Sequence, residues 1–428
     1  MIDLRHEPVK LAALIDWDVF DEQWSGFVPS GTDRPATPPR LVAGLLDLQH
    51  ASRLSDEAVV ARCVENPYCQ HSTGETFLQH RLPIDPPSPT RWRKRLGEEG
   101  VEWMLTQTIP AGQKAGALDA GSPKRVAVNT TVMEKASAHP TDARLFERAQ
   151  AQLVALAAEA VVELRQSHAR LAPRLAVRVG RHAHAKPFKR VRKALRTLKG
   201  YTGRVLRDLR RRLNDIPQGD LRERILDRLV LVSRLLSQEP KGLAKIHALH
   251  EPEVDCISKG KAGVRSEFSC KVSIATTLAE GFAVGMRSFA GNSYDGHTLG
   301  AALEQVEILT DRPPELVVVD RGYRGHGVDK TRVLISGTRR GLTRALAADL
   351  RRRAAIEPEI DHMKTDGRLA RSPLKGTIGD ALFAMLCGCG HNIRKILAWL
   401  RAILARLIAL VIAVMRGGKG RDQIPDAA

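Results

Sequence analysis

Leu316-Val317-Val318-Val319-Asp320-Arg321-Gly322-Tyr323-Arg324-Gly325 fixes how the rest of this chain is read. Four apolar residues read as a buried strand, and the acid after them sits where such a strand opens into a loop. Further on comes Arg353-Ala354-Ala355-Ile356-Glu357-Pro358-Glu359-Ile360-Asp361-His362-Met363-Lys364. Helical spacing puts Arg353, Glu357 and, two turns on, Lys364 on one face. Two acids, one at a strand tip and one on a helix, suit a divalent-metal site for phosphoryl transfer, and flanking bases suit phosphates. Taken alone, Glu357 is better read as a surface acid paired with Arg353 one turn back, and Asp320 as a turn cap or a site residue with little between them.

Upstream, residues 124–132 alternate and are β-branched, so they are expected to form a strand of the same sheet. A third metal-binding acid is expected from that strand. Residues 267–276 and 281–289 read as a hairpin, 291–296 as a turn, 298–309 as a helix and 332–335 as another strand. Residues 346–363 read as one helix bearing Glu357, with Pro358 forcing a local adjustment. The first 105 residues look helical, with starts at Pro38-Pro39, Ser55 and Thr90. Between the first strand and the later ones lie helical stretches at 142–166, 188–213 and 221–236, the last two separated by Ile216-Pro217-Gln218-Gly219. The expectation is an α/β chain with a helical N-terminal domain (1–110), a sheet domain (120–140 and 250–395), a basic helical insertion (141–249) and a C-terminal helix and tail (396–428).

The 428 residues carry a net charge of +19, with pI about 10.0, which points to a polyanionic partner. From Arg178 to Arg212 there are fourteen Lys and Arg against one acid, Asp208. A backbone-tracking surface needs such a block, and a solvated helix face explains it equally well. Arg91 and Arg93 mark a basic helix near the N-terminal end, with the outline of a DNA-reading helix. Lys259 and Lys261 read as phosphate contacts on a loop, or as a solvated turn. His297 is a structural hydrogen-bonder at a helix start before it is a metal ligand. The six cysteines make no Cys-x-x-Cys pair and no zinc pattern, so reduced buried thiols are expected. No charged-then-apolar leader follows Met1, and Arg401 and Arg406 interrupt the apolar tail. A cytoplasmic protein without a membrane role is the expectation.

Many of these residues stand in order in a known family. Asn129-Thr130-Thr131-Val132-Met133-Glu134-Lys135, His139-Pro140-Thr141-Asp142, Lys259-Gly260-Lys261-Ala262, Gly291-Asn292-Ser293-Tyr294-Asp295-Gly296-His297 and Asp320-Arg321-Gly322-Tyr323 resemble the motifs of DDE insertion-sequence transposases of the bacterial "insertion sequence five" family. Arg353, Glu357 and Lys364 match the spacing of that family's C-terminal signature, with Leu350 where a tyrosine would be. The resemblance implies an RNase H-like catalytic core and Mg²⁺- or Mn²⁺-dependent cleavage and transfer of DNA at transposon ends. It also implies a nucleoid-associated homo-oligomer acting on terminal inverted repeats and target DNA. By the same resemblance Asp320 and Glu357 would ligate the metal, Asn129 would hold the third position, and Arg353 and Lys364 would position phosphates. Asn129 replaces the family's first catalytic aspartate. An amide offers an oxygen but no negative charge, so this copy is expected to be impaired. The alternative is an inactive relative that only binds transposon-end DNA.

Overall fold

The computed structural model describes residues 2–27, 37–136, 141–184, 188–239, 242, 245–252, 254–257 and 267–417. Lys259, Lys261 and residues 137–140 lie outside these. The chain is mixed α/β and divides into two compact units. The first comprises Met1–Met133, Lys271–Phe289 and Ser293–Ala428; the second comprises Glu134–Cys270 and Ala290–Asn292.

The first unit opens with six helices: α1 (Glu7–Leu14), α2 (Trp17–Trp24), α3 (Pro39–Ala51), α4 (Asp56–Glu65), α5 (Pro67–Ser72) and α6 (Ser88–Lys114). Pro39 begins α3, where its missing N–H costs nothing. The Ser55 hydroxyl accepts from Ala58 N and starts α4, with Asp56 and Glu57 in the first turn. Thr90 does not start a helix. α6 begins two residues earlier, and the Thr90 hydroxyl donates to Asp56 instead. Gly97, at φ 61°, turns α6 partway along, a conformation that side chains with a Cβ avoid. Leu41, Leu45, Val59, Val60 and Cys63 form the apolar cluster beneath α3 and α4.

Strand β1 (Arg125–Lys135) follows, and its last two residues pass into the second unit. That unit holds α7 (Asp142–Glu159), α8 (Leu171–His184), α9 (Phe188–Arg211), α10 (Asp220–Ser237) and β2 (Asp255–Ile257). Leu145, Ala149, Leu153, Leu198, Val205 and Leu209 lie in its core. Helix α7 stops sooner than expected, at Glu159, because Val161 adopts a left-handed φ of 55°. Lys135 and Glu251 form an ion pair at 2.9 Å, with side chains 1% and 3% exposed.

Strand β3 (Glu267–Thr277) pairs antiparallel with β2 through its first residues and with β4 (Ala283–Phe289) through the rest. After α11 (Asp295–Thr310) come β5 (Leu316–Val319) and β6 (Arg332–Ile335), which pair in parallel. The sheet order is β2-β3-β1-β5-β6, with β4 on β3. The alternating sequence of β1 predicts one buried face. With neighbours on both edges it is instead buried or half-buried from Val126 to Met133.

The helix expected over 346–363 is broken. α12 (Arg344–Arg352) ends in a 3-10 turn, α13 (Ile356–His362) takes up the chain, and a π-helical turn follows at Met363–Gly367. Pro358 falls in the first turn of α13, where its missing donor is harmless. After β7 (Arg371–Ser372), which pairs with β1, a single helix α14 runs from Gly376 to Gly417, with no break at 396. It packs on α3, α6 and β4. Its glycines permit this approach: a Cβ on Gly388 would lie 2.7 Å from Met286 Cγ, and one on Gly390 would lie 2.5 Å from the His50 carbonyl oxygen. Among the described residues no helix is long and apolar enough to cross a membrane.

Candidate active site at the strand ends

β1 and β5 run parallel, with Val126 opposite Val317 and Ala127 opposite Val318. The same register carried two residues on would bring Asn129, midway along β1, opposite Asp320, just past the end of β5. Asp320 leaves β5 in extended backbone, and its Oδ1 accepts from Gly322 N at 2.8 Å. Asn129 Oδ1 accepts from Thr130 N at 2.9 Å. Asp320 thus directly follows the last residue of β5, and Asn129 lies within β1.

A second carboxylate arrives from elsewhere. Asp295, half-buried at the first turn of α11, accepts from the Thr130 hydroxyl at 2.8 Å and from Lys271 Nζ at 2.8 Å. Lys271 Nζ also donates to the Ser293 carbonyl at 2.6 Å. A Cβ built on Gly322 would lie 3.0 Å from Asp320 Oδ1 and 3.3 Å from Asp295 Oδ2, so the two acids face one point. Two buried hydroxyls complete the pocket. Those of Tyr323 and Ser273 are shielded from solvent, and neither makes a hydrogen bond of good geometry. Burial raises the Tyr323 pKa, and the charges of Asp295 and Asp320 raise it further.

Sequence reasoning missed Asp295, Lys271, Ser273 and Tyr323 as site residues. Residues 291–296 read as a turn in the sequence, yet Asp295 already belongs to α11. The signal was available: an acid just ahead of Leu299, Ala302, Leu303 and Val306 is a favoured first-turn residue. Nothing local marks Lys271, a polar residue in a strand, as its partner.

Glu357 faces solvent. Its side chain is 60% exposed and pairs with Arg353 at 3.1 Å, one turn back on the same segment. Glu359 is the acid that turns inward, to Lys395 at 2.7 Å and His391 at 3.3 Å. His391 Nε2 donates to the Gly281 carbonyl at 3.0 Å, and burial holds this ring neutral, with its pKa lowered to about 3. Gly281 follows Leu278, whose N–H meets the Arg125 carbonyl where β1 starts. Asn129 is four residues, roughly 13 Å, further along β1. Helix α13 is thus anchored near the start of β1.

The other expected site residues are dispersed. Arg353 is engaged with Glu357, and Lys364 is half-buried in the π-helical turn. Arg91 is exposed and touches Asp85 and Ser88. Arg93 is buried and held by Asp56 and Gln49, so its charge is neutralised inside the protein. It lines a cleft of about 230 Å³ together with Asp56, His50 and Arg368. In the second unit, helical spacing puts Lys193, Arg196, Arg204, Arg207 and Arg211 on the exposed face of α9, opposite Ala194, Leu198, Val205 and Leu209. Asp208, the sole acid of that block, turns inward and accepts from Arg165 N at 2.7 Å.

The donors that these contacts bring together are all oxygens: two carboxylates and the hydroxyls of Thr130, Ser273 and Tyr323. Among the described residues no group of three or more His, Cys, Asp or Glu stands together as a metal site. Two acids, neutral oxygens and two unpartnered buried hydroxyls fit a hard divalent cation that keeps part of its water shell.

Comparison with known proteins gives one described family and one relative of uncharacterized function. The profile of a family described as "Transposase domain (DUF772)" matches residues 1–95. The uncharacterized protein ORF8 of the nfe locus of Rhizobium meliloti is 48% identical over 189 residues, 44% of this chain and 90% of that protein. No solved structure matches the chain.

Proposed function

We propose that this chain, whose first 95 residues match a transposase domain, is a transposase that cleaves and transfers DNA strands at the ends of an insertion element, slowly, because an amide occupies the position of one acid. The observation that supports this reading is the parallel register of β1 and β5, which, continued two residues past Ala127 and Val318, would bring Asn129 opposite Asp320. Antiparallel pairing of β3 with β4 and parallel pairing of β1, β5 and β6 support the RNase H-like core that the motifs imply. The DDE motif set supports the "insertion sequence five" assignment, and Glu357 would join Asp320 only if α13 moved when DNA binds.

Mg²⁺ or Mn²⁺, when bound, would supply charge stabilisation to the attacking and leaving oxygens. The protein's own part is positional. Asp320 is fixed by the Gly322 N–H, Asn129 by the Thr130 N–H, and Asp295 by Thr130 and Lys271. The outward bases of α9, together with Arg91, give phosphate-tracking surfaces; Lys259 and Lys261 would add to them. By the family resemblance the working form is a multimer on paired ends.

Losing one negative charge beside a divalent ion costs on the order of several kcal/mol, hence several decades in rate. A second reading, an inactive relative that only occupies inverted repeats, is favoured by the same Asn129. The test uses duplexes carrying the inverted repeats that flank the gene. With Mg²⁺, Asn129→Asp is expected to cut these ends several decades faster than the parent. Equal rates would overturn the impairment. No cutting by either protein, with specific end binding retained, would establish the inactive relative.

A further inference from the structure

We propose that Asp295 is a working carboxylate of the strand-end pocket, facing Asp320 and supplying the negative charge that Asn129 lacks toward a hard divalent cation. This rests on the transposase reading above and names a residue that reading does not need. Three observations carry it. The two carboxylates converge on Gly322, at 3.0 and 3.3 Å from where its Cβ would be. The buried Tyr323 hydroxyl feels the charges of both acids, and neither it nor the neighbouring Ser273 hydroxyl makes a hydrogen bond of good geometry, which leaves bonding capacity that a ligand or its water shell would take up. Asp295 is also held in place by two partners from different strands, Thr130 on β1 and Lys271 on β3. A helix that only needed an acid in its first turn would not need that fixation.

Lys271 is the part of the pocket that opposes a cation. Its ammonium contacts Asp295 Oδ1 directly, so a divalent ion competes with it for the same carboxylate. Asp320 and the second oxygen of Asp295, the two atoms aimed at Gly322, are the faces left toward such an ion.

The test is Mn²⁺ binding to the full-length protein without DNA, read from the loss of the free-ion paramagnetic resonance signal. Asp295→Asn is expected to weaken binding by about 10-fold or more, and Asn129→Asp to tighten it by a similar factor. Glu357→Gln should leave it within about 2-fold of the parent, as an exposed distant acid would. A parent that binds no Mn²⁺, or an Asp295→Asn protein that binds as the parent does, overturns the proposal. Should Asp295→Asn fail to fold, the parent alone decides. Fe²⁺ loaded in place of Mn²⁺, with ascorbate and peroxide, should cut the backbone near Asp295 and Asp320. Cuts near Asp320 and Glu357 but not near Asp295 overturn it. Binding of the end duplex in EDTA, measured alongside, keeps the two failures apart. If specific end binding persists while the Mn²⁺ difference is missing, only Asp295 is wrong; if specific end binding is missing, the transposase reading fails.

Discussion

The strand-end pocket and the α9 face hold charge in opposite ways. In the pocket, Asp295, Asp320 and Lys271 come from three distant segments and point inward at one another, beside hydroxyls with no solvent to satisfy them. On α9 the bases share one segment and point outward, and the one acid of the block is turned in. Inward convergence makes strong, specific electrostatics, because few waters screen it. Outward display makes a weaker, additive field that salt erodes. The first can support chemistry; the second can only hold a polyanion.

The largest effect on this contrast is expected from Asp320→Asn in the Asn129→Asp background. Cleavage should fall by about three decades or more, with end binding changed only a few-fold. Cleavage and filter-binding assays on the same duplex read both; retained cleavage would remove chemistry from the pocket. Glu251→Gln comes next. It removes the charge facing buried Lys135 and is expected to cost about 3–5 kcal/mol in urea unfolding of the second unit. A loss under about 1 kcal/mol would mean that inward charge is no stronger there than at the surface.

A smaller effect is expected from Arg196, Arg204 and Arg207 changed together to Gln. End binding should weaken, and the slope of its logarithm against log salt should shrink by about one for each phosphate no longer neutralised. Unfolding should hardly change, because all three are exposed. An unchanged slope would reduce this face to solvation. A last effect concerns pH. Burial pushes the Asp47 carboxyl up to about 8, far above its unfolded value near 3.9. Through that window the folded state keeps a proton that the unfolded state has released, so stability falls as pH rises from about 4 to about 8. Asp47→Asn should flatten this part of the Tm profile, and a parallel profile would refute it. His50 and His391, held neutral with pKa near 3, give the opposite slope below about 6.5.

Much of the scaffold is readable from short windows. Ser55 as a cap, Pro39 as a first helical residue, the four-residue strand ending at Val319 and the strand at Arg332–Ile335 each follow from a few neighbouring residues. The readings that changed depend on distant contacts. Thr90 serves Asp56 rather than a helix start, Arg93 is taken by the same acid, and the 346–363 helix breaks where α12 gives way to α13. Helix α14 is much longer than its apolar tail, because Gly388 and Gly390 let its earlier turns lie against Met286 and His50.

A basic α/β chain, the outward face of α9 and a strand that ends before Asp320 are all written in the order of the residues. They depend on periodicity and composition, which a single segment carries whole. Only in the folded chain do Asp295 and Asp320 meet at Gly322, with Lys271 between strand and helix, while Glu357 pairs with Arg353. Such meetings depend on which loops close and on which side of the sheet each helix docks, and no repeat within a segment encodes that.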